Sequence, residues 1–176
     1  MLRGINVGGV RKILMKDLAG LYESCGFTEV RTYVQSGNVV FNSREKNTKS
    51  ISKIIENKIE QKCRFHADVL VRTGQNLKKV IGGNPFLKKP GVDPCNLYVT
   101  FLSDPPETQS LPNLSNVKSG ADQFEIRGAE IFLWCPDGYG RTKLSNNYFE
   151  TKLKRIATTR NWKTVMALYE MAVRNA

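Results

Sequence analysis

The chain has 176 residues, enough for one domain or two small ones. Its 27 Lys and Arg against 16 Asp and Glu give a net charge of +11, which suits polyanions and phosphorylated ligands as well as plain solubility. Four scattered cysteines and one histidine, His66, leave no clustered ligand set for zinc, and no apolar run is long enough for a membrane span or a secretory leader. The expectation is therefore a cytoplasmic chain with no metal site, no membrane partner and reduced cysteines that pack as small apolar side chains.

The predicted elements begin with a short extended segment at the N-terminus. Met1-Leu2 alone is too little for a strand of ordinary length, so the strand is expected to run on into residues 3 to 7. Leu14, Leu18, Leu21, Tyr22 and Cys25 recur at helical spacing, with Gly26 as a stop. Val30, Tyr33-Val34 and Val39-Val40-Phe41 are β-rich runs separated by Ser36-Gly37-Asn38, the pattern of a hairpin. Ile51, Ile54, Ile55, Ile59 and Cys63 make the apolar stripe of a second helix, and Ala67 to Val71 a short strand. This order is that of a ferredoxin-like βαββαβ unit, so the fold class expected is α+β, with a ferredoxin-like lobe over residues 1–72.

A smaller α+β second half is expected over residues 73–176, ending in two helices. Leu77 to Ile81 predicts a short helix stopped by Gly82-Gly83, and the Pro-, Gly- and Lys-rich stretch 84–94 is the best candidate linker. Leu97 to Leu102, Phe124 to Arg127 and Ile131 to Trp134 read as strands. Asn147 and Glu150 have the spacing of a capping pair for a helix with stripe Phe149, Leu153, Ile156 and Ala157. The last helix carries Trp162, Val165, Met166 and Tyr169 on its inner face and is expected to open at Thr158-Thr159-Arg160-Asn161.

Three segments combine hydrogen-bonding side chains with glycine turns or a helix start: Arg3-Gly4-Ile5-Asn6-Val7-Gly8-Gly9, Gln35-Ser36-Gly37-Asn38 and Thr158-Thr159-Arg160-Asn161. Each has a plain structural reading, as a tight connection, a hairpin turn and a helix cap. Each also presents backbone N–H groups to an anion. The candidate ligand-binding set is Arg3, Asn6, Gly8, Gly9, Ser36, Asn38, Thr159, Arg160 and Asn161, lining one polar pocket between the lobes. The first segment matches neither the Gly-Lys-Ser/Thr phosphate loop nor the Gly-x-Gly-x-x-Gly spacing. The basic loop Gly138 to Lys143 either closes over a ligand or merely joins a strand to a helix. Local sequence marks no paired carboxylates and no Ser-His-Asp or Cys-His set, so catalytic residues and cofactors stay unassigned.

The same segments, Leu2 to Gly9, Val30 to Phe41, Asn84-Pro85-Phe86 and Thr158 to Trp162, resemble those of the domain of unknown function 1697 family, small soluble proteins found mostly in bacteria. The resemblance implies an α+β fold with a ferredoxin-like first half. It also implies further apolar residues before Leu2, so the first strand is expected to be shortened here. It transfers no catalytic residue. Two function classes stand: a protein that binds a small phosphate-bearing or other anionic ligand, or nucleic acid such as RNA, through its basic surface; and an enzyme on a small phosphorylated substrate. The sequence does not determine the oligomeric state.

Overall fold

The structure, a computed structural model, describes residues 1–114 and 120–174. The chain is α+β. In order it forms α1 (Met15–Glu23), β1 (Thr28–Tyr33), β2 (Asn38–Asn42), α2 (Thr48–Cys63), α3 (Gly74–Gly82), β3 (Leu97–Leu102), β4 (Gln123–Arg127), β5 (Glu130–Trp134), α4 (Asn146–Leu153), β6 (Ala157–Asn161) and α5 (Trp162–Val173). Two compact units result, one of Met1–Leu77 with Ala167–Ala176, the other of Lys78–Met166. The division falls inside α3 and α5.

In the first unit the apolar stripes of α1 and α2 bury Leu18, Leu21 and Tyr22 with Ile51, Ile55 and Ile59 in one core. Leu14, expected on the stripe of α1, stands exposed just before the helix. The Asn47 side chain caps α2 by accepting from the N–H groups of Lys49 and Ser50, and Arg64 ends it in the left-handed conformation. β1 and β2 form the expected antiparallel hairpin, with a bulge between Thr28 and Arg31.

The N-terminal strand differs from expectation. Residues 3 to 7 do not extend it; pairing is confined to an isolated antiparallel bridge between Leu2 and Val69. Around it the Met1 amine donates to the Leu70 carbonyl, Leu70 N–H to Met1 and Arg3 N–H to Asp68, each at 2.9 Å. On the other side Leu2 N–H donates to the Gly37 carbonyl at 2.9 Å. The glycines and the left-handed Asn6 that follow bend the chain away before a ladder can grow. The regular sheet of this unit therefore has two strands, and the 67–71 segment contributes only its bridge.

The second unit is built on a four-stranded antiparallel sheet in the order β4-β5-β3-β6. β5 and β3 are central, and their near-continuous apolar runs, Ile131-Phe132-Leu133 and Val99 to Leu102 broken by Thr100, are buried on both faces. Phe149 and Leu153 of α4 pack on the face that carries Leu102, Ile131 and Leu133. Stretch 84–94 does not behave as a free linker, because Asn84 and Phe86 are buried. Ser145, not Asn147, caps α4 by accepting from Tyr148 N–H, while Glu150 accepts from Ala157 N–H beyond the helix. Ile156 and Ala157 consequently leave that helix, and Ala157 opens β6.

Two stability outcomes are expected from these contacts. Gly37 has φ +74°, and a Cβ there would meet Leu2 and Ile5 at 2.8 Å. Gly37→Ala should cost roughly 2–4 kcal/mol, from the left-handed backbone and the overpacking together. Gly9→Ala, also left-handed but with open space around it, should cost only about 1–2 kcal/mol; chemical denaturation of both variants measures the difference. Trp162 is 7% exposed, and Trp162→Ala should lose roughly 3–5 kcal/mol in the same assay.

Candidate functional site

The sequence-predicted site residues divide between the units: Arg3, Asn6, Gly8, Gly9, Ser36 and Asn38 lie on the first, Thr159, Arg160 and Asn161 on the second. In the first segment, Val7 and Val10 form an antiparallel bridge with Gly8 and Gly9 between them at φ +60° and +78°. Positive φ at both central residues is what a tight two-residue hairpin turn demands, which is why two glycines stand there. The tip is exposed.

Asn6 holds this loop in place. It sits at φ +55°, a conformation Asn tolerates better than most residues. Its Nδ2 donates to the carbonyls of Ile13 at 3.0 Å and Gln35 at 2.8 Å, and its Oδ1 accepts from Ile13 N–H at 2.9 Å. One side chain thus ties the base of the glycine loop to Ile13, two residues before α1, and to the hairpin turn. Asn38 does similar work inside the turn. It is fully buried, and its Nδ2 donates to the Tyr33 carbonyl and to Ser36 Oγ. Arg3 is half-buried beside the Asp68 strand segment, to which its backbone N–H is bonded.

Asn6 and Gly9 also line a cleft of about 820 Å³ that lies wholly within the first unit. Lys12 comes to it from the loop, Lys16 from the first turn of α1 and Lys62 from the last turn of α2. Among the described residues Asp17 is the one carboxylate in the wall. Leu14 stands at the N-cap of α1, where its side chain makes no capping hydrogen bond. That helix end, with its partial positive charge, forms part of the cleft wall through Leu14, Lys16 and Asp17. The cleft also holds Cys63, whose thiol is pushed up by burial first and by the Asp17 carboxylate second. It stays protonated at neutral pH and is a poor nucleophile. Three lysines surrounding one carboxylate and an uncapped helix end favour an anion over a cation.

On the second unit the expected helix start is a strand. Thr158, Thr159 and Arg160 belong to β6, paired with Phe101, Thr100 and Val99 of β3. Only Asn161 caps the last helix, its Oδ1 accepting from Thr164 N–H at 2.8 Å. Strand alternation sends Thr159 and Arg160 to opposite faces. Arg160 is 8% exposed, and its Nη1 donates to Thr158 Oγ1 and to the Thr159 carbonyl, each at 2.8 Å. Thr159 Oγ1 donates to Asn146 Oδ1 at 2.6 Å and accepts from Tyr139 O–H at 3.0 Å, so the 2.7 Å contact with Thr100 Oγ1 takes its proton from Thr100. Through Tyr139 the basic loop 138–143 is fastened to the sheet, its ring 5.1 Å from that of Tyr98.

Lys12, Lys16 and Lys62 were not singled out by sequence reasoning. Lys62 lies fifty positions from Lys12 in the chain, and only the packing of α1 beside α2 brings them to one cleft. Among the described residues no three His, Cys, Asp or Glu side chains gather as a metal-ligand set, and no helix is long and apolar enough to cross a membrane.

Residues 1–132 match the family described as Protein of unknown function (DUF1697). The chain belongs to that family. No curated protein matches it. Among solved structures it is similar to the conserved bacterial protein SP0830 from Streptococcus pneumoniae, at 21% identity and a TM-score of 0.71, over 98% of this chain and 96% of that one. At that identity the likeness concerns the fold, and it supports the α+β architecture across both units.

The Asn6 clamp makes a direct prediction. Asn6→Ala leaves the Ile13 N–H and two carbonyls without their partner and should destabilise the protein by roughly 2–4 kcal/mol. Asn6→Asp keeps the acceptor but places a carboxylate against two carbonyls, so it should be destabilising as well. Thermal unfolding of the two variants checks this; a wild-type melting temperature for Asn6→Asp would show that the two Nδ2 bonds contribute nothing.

Proposed function

We propose that the cleft beside α1 binds a small anionic ligand, of phosphate-bearing type, and that the glycine loop and Asn6 serve to shape its rim. The single observation that carries this reading is the convergence of Lys12, Lys16 and Lys62 on an uncapped helix N-terminus. Cationic side chains and free amides together are the usual means of holding a phosphate. The volume lies within the range of small-molecule sites, about 300–1,000 Å³, and accommodates a sugar phosphate or a mononucleotide. Asn6 and Gly9 of the sequence-derived set belong to this reading directly. Ser36 and Asn38 support it by holding the turn that presents Gln35 to the cleft. In this reading Thr159, Arg160 and Asn161 act as scaffold of the second unit.

An RNA-binding role rests on net charge alone, and an enzymatic role on no located nucleophile or acid–base pair, so neither is preferred. Thermal-shift and calorimetric titrations with inorganic phosphate, sugar phosphates, mononucleotides and a short single-stranded RNA separate these readings. A ligand present at about a hundred times its Kd adds about 2.7 kcal/mol to folding stability, which such a screen registers. Lys62→Gln and Lys16→Gln should each weaken the best phosphate ligand by roughly tenfold or more, since each removes a charge-assisted hydrogen bond. No melting shift with any phosphate, or undiminished binding by both lysine variants, would overturn the proposal. RNA binding that falls steeply with salt and ignores the Lys62→Gln change would transfer the function to the general basic surface.

A further inference from the structure

The rim of the lysine cleft carries aliphatic residues that the fold leaves largely in water. Leu14, Val10 and Val7 are the three most exposed large hydrophobic residues among those described, at 71%, 64% and 63%. Val7 and Val10 flank Gly8 and Gly9 as bridge partners, so their side chains share one face of the loop tip, and Gly9 lines the cleft. Leu14 lines it directly, at the start of α1. The hairpin turn adds a third position: Gln35 lines the cleft, and Val34 beside it is half-exposed. Three walls of one cleft thus carry an exposed aliphatic residue at or next to a lining residue. Val34 also holds φ at +49°, a left-handed conformation in which a β-branched residue is an outlier and Asn or Gly sits with less strain. Single exposed aliphatic residues need no explanation, but a group of them gathered around a charged cleft marks an interaction surface.

We propose that this rim docks on the surface of a membrane rich in anionic phospholipid, with Val7, Val10, Leu14 and Val34 at the boundary of headgroups and acyl chains and a lipid phosphate in the lysine cleft. The inference rests on the anion-binding reading of that cleft and names a lipid headgroup as the source of the phosphate. The charges are complementary: Lys12, Lys16 and Lys62 have no ion-pair partner among the described residues, against the single carboxylate of Asp17. Interfacial binding grows with buried apolar area and with the attraction of basic side chains for anionic lipid, and the rim supplies both. Composition favours lipid over an acidic protein. Protein interfaces are enriched in aromatic residues, Met and Arg and depleted in Lys. The rim offers Val, Leu and Lys, and among the described residues none that lines the cleft is aromatic. That no helix is long and apolar enough to cross a membrane bears on spanning a bilayer, not on contact with its surface.

The test is co-sedimentation of the full chain with vesicles of phosphatidylcholine alone and of phosphatidylcholine and phosphatidylglycerol in equal parts. The chain should sediment with the mixed vesicles and stay in solution with the neutral ones. The double variant Val7→Ser/Val10→Ser should weaken binding to mixed vesicles by roughly tenfold or more, through lost apolar burial. Lys62→Gln should weaken it by about fivefold, the share of one lysine near an anionic surface. Both valines are largely exposed and neither lines the cleft, so the double variant should keep the wild-type melting temperature and affinity for sugar phosphates. Val34→Asn should melt at or above the wild-type temperature while losing vesicle binding. Equal binding to the two kinds of vesicle would overturn the inference, as would binding to mixed vesicles that ignores either the valine change or Lys62→Gln. A lowered melting temperature for Val34→Asn would overturn it too, since that valine would then serve the fold. No vesicle binding alongside sugar-phosphate binding that needs Lys62 would overturn the membrane surface alone, leave the cleft its soluble ligand and pass the rim to a protein partner. Absence of both would overturn the cleft reading and this inference with it.

Discussion

The first unit depends on one close approach: the bare Cα of Gly37 lies against the side chains of Leu2 and Ile5, where any Cβ would be 2.8 Å from both. That contact lets the N-terminal residues slot between the hairpin and the 67–71 segment, donating to Gly37 on one side and pairing with Val69 on the other. Leu2 and Ile5 thereby reach the core formed by α1 and α2. A side chain at position 37 would push the N-terminal segment off the hairpin and expose that core. The glycine in the Gln35-Ser36-Gly37-Asn38 turn therefore answers a packing demand as well as a turn demand.

The glycine-rich loop follows from the same anchoring. Once residues 1 to 3 are fixed, the chain must reverse and deliver Leu14 to the start of α1. Two glycines make the reversal, and Asn6 locks its base to Ile13 and Gln35. The loop then forms one wall of the cleft in which the three lysines collect. In the proposed function the structural and functional readings of this segment are not rivals, because a loop held this firmly would serve as a pre-organised rim.

The second unit uses polar groups differently. Thr100 and Thr159 face each other across β3 and β6 on the side covered by α4, and Tyr139 and Asn146 complete a network with donors and acceptors matched at Thr159. The network fastens the 138–143 loop to the sheet. Arg160, one residue on, points the other way and is occupied along its own strand.

Helix periodicity and strand alternation marked α1, α2, β1 to β5 and the inner face of α5 in the sequence, because burial of one face imposes those spacings locally. The family was equally legible, carried by the same glycine and asparagine segments. What was misread lay where local signals compete. Thr158 to Arg160 carry helix-cap chemistry but became a strand, since β3 offered an unpaired edge, and the cap passed to Asn161. Asn147 yielded its cap to Ser145, and the glycines after Leu2 kept the first strand to a single bridge. The three lysines of the cleft, and the partners Thr100, Tyr139 and Asn146 that meet at Thr159, had no local sequence signature. Each set joins residues from distant elements, so its geometry was decided only when the helices and sheets packed. Sequence alone determined which segments bury a face; tertiary structure decided which polar groups meet, because those meetings depend on contacts that no local spacing encodes.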